Sequence, residues 1–510
     1  MAIMKLKISQ KIKDTNSLIL EIKNKNPDIT IGLCHGVFDV LHSGHIRHFA
    51  EASNLVDVLV VSVTSDNYVD KGPGRPVNTI QDRMNILASI EYIDYIVESK
   101  ASSAVSIIES VKPAYYFKGK DYAPDPSEIS LDMAGNLDIE EEATVKSGGL
   151  VYYTTSQLNS SSTLINSLTI DTNKTRDIVE HVKGYLNSKP IEKILTELKD
   201  KNITIIGEVI YDEFVYTESL GKSGKHPIVA EREVYRKNVL GGICPLVSTF
   251  ETFVASKNLG VISVTSSITR PSTSSAFDNL IVVEDYTPIV KTRYVNQKTN
   301  TFMYEIYEME DKLISGIHEE AIIQSLKSAS KNSDLLVALD FGHGLITPNA
   351  RKFMSGSFKN FALNVQKNAG NKGFSTIGKY SSASLIVMNG EEVELEFKQK
   401  GMDLVEAAKI IHKNMKARIV VITDGANGLV ITNGDSTYKI PSFFSGNIAD
   451  RTGAGDSVFA VLSLFSLVIE DLIVLGYLGN LAGAMNLNWV ANENIISSQN
   501  LVKAIYYGLK

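Results

Sequence analysis

Short apolar runs alternate with amphipathic segments along the first third of the chain. The apolar runs are rich in β-branched residues and predict buried strands, whereas the segments between them carry apolar positions at helical spacing. The predicted strands cover 30–39, 56–66, 93–99 and 114–119, and the predicted helices cover 43–55, 80–90 and 103–111. Strands that alternate with helices in this way favour an open parallel sheet with helices on both faces.

The alternation stops near residue 168 and resumes after a polar segment. Further buried strands are predicted at 203–214, 335–342, 383–390 and 417–425. No internal repeat is visible, so the two halves are expected to be different domains. We therefore predict an α/β protein with an N-terminal domain at 1–168, a linker at 169–195 and a C-terminal domain at 196–510.

The most apolar region of the chain lies at 458–485 and is interrupted by Glu470 and Asp471. Because it contains no uncharged run of about 18 residues, it predicts two core helices rather than a membrane span. The first residues form neither a long apolar segment nor a small-residue cleavage site, so we expect no signal peptide.

Composition narrows the choice of partners and compartment. The chain has 510 residues, 44% of them hydrophobic and 21% charged, with a net charge of −7. Coating a polyphosphate backbone requires a surplus of lysine and arginine, so we expect no nucleic-acid partner. The two cysteines, Cys34 and Cys244, lie far apart in apolar stretches. They indicate a reducing, cytoplasmic location and no disulfide scaffold.

The segment VFDVLHSGHIRHF, 37–49, gathers three histidines directly after a predicted strand. A glycine between His42 and His45 at the start of a helix lets the backbone approach an anion, and the helix N-terminus offers free N–H groups. This pattern favours a phosphate site in which both imidazoles donate to phosphate oxygens. A metal shared with Cys34 is the alternative, although structural zinc requires four closely spaced ligands.

This segment and several later ones resemble the cytidylyltransferase-like nucleotidyltransferases. The match comprises Phe38 and Asp39, KGPGRPV (71–77), Arg83, FKGKDY (117–122) and SSSTLIN (160–166), in the order which that family uses. The resemblance implies a Rossmann-like domain in which His42 and His45 stabilise the nucleotide's phosphates in the transition state. It implies nucleotide or phosphate contacts for Phe38, Asp39, Lys71, Arg83, Lys118, Ser162 and Thr163.

Simpler roles are open to some of these residues. Asp39 could cap a helix or a turn, and the serine-rich stretch 156–167 could be a flexible linker. The DIEEE run at 138–142 is expected to be a solvated helix face. We expect His35 and His48 to be solvated as well.

The segment ADRTGAGDSVFA, 449–460, precedes the apolar helical region. Glycines at Gly453 and Gly455 allow backbone N–H groups to converge on an anion at a helix start. Asp456 then stands where it can take a proton from an attacking hydroxyl, as phosphoryl transfer requires. The alternative interpretation of the same residues is a glycine-rich helix start, in which Asp456 is a first-turn carboxylate that interacts favourably with the helix dipole.

From about residue 200 to its end the chain resembles the ribokinase-like, PfkB-type carbohydrate kinases. The matching segments are GEVIYDEF (207–214), Gly241–Gly242, DFGHG (340–344), NGEE (389–392), TDGANG (423–428), GAGD (453–456) and GN (479–480). The resemblance implies Asp456 as the base, an anion hole at Gly453, Ala454 and Gly455, and Mg²⁺ organised through water by Asn389 and Glu392. It implies nucleotide contacts for Thr423, Gly425, Gly428 and Asn480, and substrate contacts for Asp212, Gly241 and Gly242.

Three departures from that family lie on the substrate side. Glu208 stands where members commonly have an aspartate, and Pro245 stands about where an asparagine faces the sugar. The stretch 263–278 is rich in serine and threonine and lacks the usual glycine-and-aspartate element. The acceptor is therefore expected to be unusual, or its pocket impaired.

Both halves together resemble the bifunctional sugar kinase/nucleotidyltransferases typified by ADP-heptose synthase, with the domain order reversed. The segment GKSGKHP, 221–227, adds to this match. The resemblance implies Mg²⁺-dependent phosphorylation of a sugar, a heptose by family, with ATP. It also implies nucleotidyl transfer from CTP or ATP to a sugar phosphate, for surface polysaccharide.

The resemblance further implies a small β lid at 214–240 and 281–308, which by analogy pairs two subunits into a homodimer. The alternative is a monofunctional nucleotidyltransferase whose kinase-like domain binds nucleotide as a regulatory or scaffold module.

Overall fold

The computed structural model describes residues 8–25, 29–69, 75–119, 136–154, 173–266, 271, 274–299, 301–310, 312–371, 374–443, 452–487, 489 and 494–509. The chain divides into two compact units, residues 1–171 with 499–510 and residues 172–498. The segment expected to be a linker is helical over Asn173–Ser188 and, after Pro190, over Ile191–Lys199.

The first unit contains one parallel sheet with strand order β3-β2-β1-β4-β5. Its strands are β1 (Ile31–Gly36), β2 (Val58–Thr64), β3 (Tyr95–Ser99), β4 (Tyr115–Gly119) and β5 (Leu150–Thr154). Its helices are Ile8–Lys11, Thr15–Lys25, Ser43–Ser53, Ile80–Ala88, Val105–Val111 and Asn136–Lys146. The chain direction across the sheet reverses at β1, and ligands of such sheets bind at this point beyond the strand ends.

Apolar side chains cover both faces of this sheet. Phe49 and Phe117 belong to the cluster on one face, and Leu33 and Tyr116 belong to the cluster on the other. Adjacent strand residues Leu33 and Cys34 point to opposite faces, as the period of a strand requires. The predicted parallel sheet with helices on both faces is therefore confirmed.

The second unit is built around a sheet of eight strands with a separate sheet of four. The strands in chain order are β6 (Ile203–Gly207), β7 (Val209–Lys222), β8 (Val229–Gly242), β9 (Leu259–Ile262), β10 (Val264–Thr265), β11 (Ile281–Val282), β12 (Ile289–Asn296), β13 (Thr301–Glu308), β14 (Leu335–Asp340), β15 (Phe361–Val365), β16 (Leu385–Asn389), β17 (Ile419–Thr423), β18 (Leu429–Thr432) and β19 (Thr437–Ile440). The larger sheet has the order β19-β18-β17-β16-β15-β14-β6-β9. In it β18 pairs antiparallel with both β17 and β19, and the other neighbouring strands pair in parallel.

The helices that follow in chain order are Cys244–Glu251, Gly316–Asn332, Pro348–Ser357, Gly390–Phe397, Leu404–Met415, Ala454–Phe465, Leu472–Asn486 and Ser498–Gly508. The most apolar region forms the two helices Ala454–Phe465 and Leu472–Asn486, whose side chains are almost all buried. The prediction of two core helices is confirmed. Within the described part of the chain, no helix is long and apolar enough to cross a membrane.

The four-stranded sheet is the predicted lid, with strand order β13-β12-β7-β8. It begins earlier than expected, because the segment 203–214 is two strands rather than one. The chain leaves the large sheet at Gly207, where a Cβ would lie 2.4 Å from the carbonyl oxygen of Leu339. Glu208 separates the two strands, and the close approach of backbones at Gly207 explains the break.

Candidate active sites

The two histidines of HSGH lie together at the start of a helix beyond the carboxyl end of β1. His42 is the residue before the helix Ser43–Ser53, and the His45 backbone N–H donates to the carbonyl oxygen of His42 at 3.0 Å. Their imidazole rings stack with centroids 3.8 Å apart. Phe38, in the left-handed conformation with φ of +50°, presents its ring to the edge of His45 at 5.5 Å. The fold thus brings Phe38, His42 and His45 into one site.

The His42 imidazole is prepared for a ligand. Its Nδ1 is buried and has no hydrogen-bond partner among the described residues. Burial, and then the charge of Arg47, lower the pKa of His42. The neutral ring is therefore favoured near pH 7, beside the free N–H groups of a helix N-terminus. No cluster of metal-ligating side chains occurs in the described part of the chain.

Asp39 fixes the segment that follows KGPG. Its carboxylate accepts hydrogen bonds from the backbone N–H groups of Val77 and Asn78, each at 2.9 Å. Arg75 lies 3.9 Å from the same carboxylate. Asp39 is thus a turn cap in this structure, the simpler of its two predicted roles. Its phosphate contact stays a prediction.

Arg83, expected to contact phosphate, is buried and bonded to the protein itself. Its guanidinium donates to the carbonyl oxygens of Val37, Thr64 and Asn78 and to the carboxylate of Asp66. These partners lie on the loop after β1, the end of β2 and the segment before the helix Ile80–Ala88. Arg83 therefore holds together the loops around the histidines, and its phosphate contact remains a prediction.

Lys118 forms an ion pair with Glu140 at 2.7 Å. Glu140 is almost fully buried and also accepts from Tyr116 Oη at 2.9 Å and from the Ala104 N–H at 2.8 Å. The expectation that the run 138–142 forms a wholly solvated face is wrong at this residue. Position 140 turns inward because three donors satisfy the carboxylate there, whereas Glu142 pairs with Lys146 in solvent.

The expectation that His48 is solvated is also wrong, whereas His35 is half-buried. His48 is 6% exposed, and its Nδ1 lies 2.8 Å from Thr154 Oγ1 on β5. Burial lowers the pKa of His48 to about 4. His35 Nδ1 lies 2.6 Å from Ser62 Oγ on the neighbouring strand. The His48 ring is therefore part of the interior, and the half-buried His35 ring links two neighbouring strands. Lys71, Ser162 and Thr163 lie outside the described residues.

The second site is centred on Asp456 in the second unit. Gly453, with φ of +81°, precedes the helix Ala454–Phe465, so Ala454, Gly455 and Asp456 occupy its first turn. The amides of 453–455 lie at a helix N-terminus, as an anion hole requires. Burial raises the pKa of Asp456 to about 6, although a hydrogen bond from Gln366 Nε2 to its Oδ1 acts in the opposite direction and lowers the pKa. A carboxylate of that basicity suits a general base near neutral pH.

Asn389 and Glu392 form a reciprocal helix cap. Asn389 Oδ1 accepts from the Glu392 N–H, and Glu392 Oε2 accepts from the Asn389 N–H, each at 2.9 Å. Burial raises the pKa of Glu392 to about 7, and the charge of Asp456 adds to this. The N-x-x-E pattern thus has a complete structural explanation as a capping box. Carboxylate and amide oxygens also suit Mg²⁺ held through water.

Asp212 lies on the inner face of the lid and contacts Gly241. A Cβ at Gly241 would lie 2.0 Å from Asp212 Oδ2, which explains the glycine. Gly242 has φ of +61°, and a Cβ there would lie 2.2 Å from the carbonyl oxygen of Glu208. Arg293 donates to Asp212 Oδ1 at 2.5 Å. The predicted substrate residues are therefore brought together, with an arginine that sequence reasoning did not assign.

Lys291 is a second cation that the sequence analysis missed. It pairs in register with Asp212 across β12 and β7 and is 7% exposed. Its ammonium lies 5.3 Å from the ring centroid of Tyr307 and 5.8 Å from that of Phe341. Burial lowers the pKa of Lys291, and the negative charge of Asp212 partly offsets this decrease. Strand alternation places it on the same face as Asp212, but β12 carries no recognisable motif.

Glu208, a departure from the kinase pattern, is buried next to the DFGHG segment. Its carboxylate accepts from the backbone N–H groups of Phe341 at 3.3 Å and His343 at 3.2 Å. Burial, followed by the charge of Asp340, raises the pKa of Glu208. Asp340 accepts from Tyr380 Oη at 2.5 Å and pairs with Lys379 at 2.8 Å. Glu208 thus anchors the 341–343 loop beside the lid.

Pro245 lines the same cleft as Asp456. Gly453, Thr249 and Asn486 also line this cleft. The proline occupies the first turn of the helix Cys244–Glu251, where its missing N–H costs nothing. The departure at this position therefore falls directly beside the proposed base. The stretch 263–278 is described only in part.

The residues expected on the nucleotide side occupy one end of the large sheet. Thr423 ends β17, where its Oγ1 donates to the carbonyl oxygen of Met388 at 3.4 Å. Gly425 and Gly428 have φ of +51° and +93° in the turn before β18. Asn480 Nδ2 donates to the carbonyl oxygen of Ile440 at 3.3 Å. Asn480 joins the helix Leu472–Asn486 to the end of β19, and its nucleotide contact stays a prediction.

Comparison with known proteins follows the same division of the chain. Residues 33–167 match the family model described as cytidylyltransferase-like, and residues 351–488 match that of pfkB family carbohydrate kinases. The chain carries a cytidylyltransferase-like domain and a pfkB family domain. Each model spans about a quarter of the chain.

Curated relatives match only part of the chain. It is 38% identical over 112 residues to the bifunctional protein HldE of Photobacterium profundum, covering 22% of each chain. It is 37% identical over 109 residues to that of Vibrio cholerae, covering 21% of this chain and 22% of the relative. These matches lie in the N-terminal region of the chain. The matched stretch thus spans less than a quarter of either relative's length.

Two solved ribokinases are similar to about three fifths of the chain. That of Thermotoga maritima is 14% identical with a TM-score of 0.44, covering 60% of this chain and 99% of that one. That of Arabidopsis thaliana, solved with ribose and ATP, is 13% identical with a TM-score of 0.45, covering 60% and 98%.

Proposed function

We propose that the protein is a bifunctional enzyme that makes a nucleotide-activated sugar. The pfkB family domain phosphorylates a sugar with ATP, and the cytidylyltransferase-like domain transfers a nucleotidyl group from CTP or ATP to a sugar phosphate, releasing pyrophosphate. The observation that carries the kinase half is Asp456, a basic carboxylate in the first turn of a glycine-started helix. The sequence resemblance to ADP-heptose synthase favours a heptose and a role in surface polysaccharide, and the partial matches to proteins named bifunctional HldE support two activities in one chain.

In the kinase step, the Asp456 carboxylate accepts the proton of a hydroxyl group on the acceptor sugar. The oxygen of that hydroxyl attacks the γ-phosphorus of ATP. The bond between that phosphorus and the β,γ-bridging oxygen breaks, and ADP leaves with the electron pair. The amides at 453–455 donate to the oxygens of the moving phosphoryl group at the helix N-terminus. Asp456 must be ionised for this step, which its pKa of about 6 permits at neutral pH.

In the nucleotidyl step, a phosphate oxygen of the sugar phosphate attacks the α-phosphorus, and pyrophosphate leaves with the electrons of the broken bond. His42 and His45 donate to phosphate oxygens as negative charge moves onto the pyrophosphate. Their stacked rings at the start of the helix Ser43–Ser53 support this assignment. Asp39 and Arg83 act indirectly by holding the surrounding loops.

Magnesium is the cofactor that we propose for the kinase step. Asn389 and Glu392 would hold it through water, and the ion would offset negative charge on the nucleotide's phosphates. The buried Glu392 carboxylate, with its raised pKa, fits a neighbouring cation, because a positive charge favours its ionised form.

The proposal is tested by mass spectrometry of products formed from ATP, CTP, Mg²⁺ and a panel of heptoses, hexoses and their phosphates. An activated sugar from one panel member is expected. This product would identify both the acceptor sugar and the nucleotide, CTP or ATP, that the enzyme uses. If only nucleotidyl transfer occurs, with any sugar phosphate, the kinase half of the proposal fails. The pfkB family domain would then be a nucleotide-binding regulatory or scaffold module.

We also propose that the lid sheet pairs two subunits into a cytoplasmic homodimer. Large side chains on this sheet are about half exposed, including Tyr235, Phe302, Tyr304 and Ile306. Tyr304 stacks on Tyr294 with ring centroids 4.6 Å apart. Exposed apolar patches of this kind mark interaction surfaces.

Light scattering coupled to size-exclusion chromatography tests the dimer. The wild type should have twice the chain mass, and Tyr304→Glu with Ile306→Glu should yield monomer. Ile317→Glu, at a site 74% exposed on the helix Gly316–Asn332, is the matched control and should remain dimeric. A monomeric wild type would refute the pairing.

A further inference from the structure

Gln366 connects the end of β15 to the proposed base of the kinase step. Its side-chain Nε2 donates a hydrogen bond to Asp456 Oδ1, across 90 residues of sequence. A carboxylate with one oxygen held by a donor keeps its other oxygen in a defined orientation. Among the described residues Oδ1 alone receives a side-chain hydrogen bond, so Oδ2 is the atom that would accept a proton from the acceptor hydroxyl.

The backbone of Gln366 is anchored on both sides. Its N–H donates to the carbonyl oxygen of Asp340 at 2.9 Å, and its carbonyl oxygen accepts from Asn371 Nδ2 at 3.0 Å. The same amide group of Asn371 donates to the carbonyl oxygen of Phe341 at 2.5 Å. The donor that reaches Asp456 is therefore fixed to the loop that follows β14.

Two asparagines lock the segment after Gln366. The Asn368 N–H donates to Asn371 Oδ1 at 2.9 Å, and the Asn371 N–H donates to Asn368 Oδ1 at 3.0 Å. Asn368 Nδ2 also donates to the carbonyl oxygen of Phe341 at 2.7 Å. Gly342, with φ of +76°, leaves room for the Asn371 amide, because a Cβ at this position would lie 2.8 Å from Asn371 Nδ2. The segment QKNAGN, 366–371, with NAGN at 368–371, thus has a structural role that no kinase motif explains.

Several charged groups act on Asp456 together with Gln366. Lys291 on β12 favours its ionised form, and Asp212 on β7 disfavours it. Glu392 on the helix Gly390–Phe397 interacts with Asp456 as a like charge. The Gln366 hydrogen bond lowers the pKa of Asp456, whereas burial raises it. Gln366 is therefore a neutral donor among charged neighbours, and its removal changes hydrogen bonding without changing the net charge.

We infer that Gln366 is a positioning residue that orients the Asp456 carboxylate for proton transfer in the kinase step. The inference rests on the proposed kinase function. It assigns to the NAGN segment the role of holding Gln366 in place.

The test compares Gln366→Met, which keeps the approximate size but removes the donor, with the control Gln399→Met at an exposed glutamine. For Gln366→Met, kcat of ADP formation should fall roughly 10- to 100-fold with KM for ATP within about twofold, because orientation is lost but nucleotide binding is not. The acid limb of the kcat–pH profile should move to higher pH. The control should match the wild type, and an unchanged kcat and acid limb in Gln366→Met would overturn the inference.

A second measurement does not depend on turnover. In protein labelled with ¹³C at the aspartate carboxyl, the Asp456 resonance is assigned by its loss in Asp456→Asn and titrated in each variant. Gln366→Met should titrate at higher pH than the wild type, and identical titration would overturn the inference. If the titration moves but the wild type phosphorylates no acceptor, the contact stands and the proposed kinase function fails.

Discussion

Lys118 Nζ lies 2.7 Å from Glu140 Oε2, so a cation expected to face a triphosphate is paired with a buried carboxylate of its own domain. Burial opposes ionisation of Glu140, but the charge of Lys118 and the donated hydrogen bonds lower its pKa overall. Because Glu140 lies on the helix Asn136–Lys146 and Lys118 lies on β4, the pair joins that helix to the sheet. Lys118 therefore stabilises the fold of the cytidylyltransferase-like domain.

Glu140→Gln should destabilise this domain by about 2 kcal/mol, because the Lys118 ammonium loses its partner in a largely buried place. Urea unfolding, followed by circular dichroism, measures the effect. Glu142→Gln removes an exposed ion pair on the same helix and should leave the midpoint unchanged. Equal shifts of the urea midpoint in the two variants would show that the buried ion pair stabilises the domain no more than the exposed one.

Arg83→Met should lower the urea midpoint by the equivalent of about 3 kcal/mol. Removing the guanidinium leaves the carbonyl oxygens of Val37 and Thr64 without their donor inside the protein. Lys100→Met, at an exposed position directly after β3, is the control and should keep the wild-type midpoint. An Arg83→Met variant with normal stability and weakened nucleotide binding would instead support the phosphate contact.

His48 should make folding stability depend on pH below neutrality. Its pKa is about 4 when folded and 6.5 in a model peptide. Between pH 6.5 and 4, His48 is therefore mostly protonated in the unfolded state and mostly neutral in the folded state. Stability is present in full above pH 6.5 and falls by about 1.4 kcal/mol per pH unit as the pH drops towards 4.

The measurement is the difference in unfolding free energy between pH 7 and pH 5, compared for the wild type and His48→Gln. The variant has no titrating ring and should lose less stability over this interval. The same pH dependence in both proteins would show that His48 is charged in the folded state.

Gly241→Ala should impair the kinase step by displacing the Asp212 carboxylate. The added Cβ would meet Asp212 Oδ2 at 2.0 Å, whereas the nearest atom to a Cβ at Gly260 lies at 3.7 Å. We expect KM for the acceptor to rise by about tenfold in Gly241→Ala, the cost of one misplaced hydrogen bond. Steady-state kinetics should give wild-type values for Gly260→Ala, and unaltered acceptor kinetics in Gly241→Ala would exclude Asp212 from substrate binding.

Features carried by local pattern could be predicted from the sequence. The alternation of apolar runs gave the strands of the first sheet, and the glycines before Asp456 gave the start of its helix. The HSGH segment predicted two histidines at a helix N-terminus, where the structure has them stacked. Each of these depends on residues that are close together in the chain.

Contacts between distant segments could not be predicted in this way. Glu140 appears in a run of charges, and nothing local shows that Tyr116, Lys118 and Ala104 turn it inward. Gln366 meets Asp456 only because β15 ends beside the helix that Asp456 begins. Charge runs and isolated polar residues acquire their roles from tertiary packing, which a pattern along one chain does not contain.

The central claim is that two separate sites carry out two reactions, and paired substitutions assayed for both products test it most directly. With the acceptor identified, ADP and pyrophosphate are measured for His42→Ala and Asp456→Asn. His42→Ala should lower pyrophosphate release by at least about 100-fold and spare ADP formation, because it removes a donor to phosphate. Asp456→Asn should lower ADP formation by a similar factor and spare pyrophosphate release from supplied sugar phosphate. Loss of both products in either variant would contradict the account.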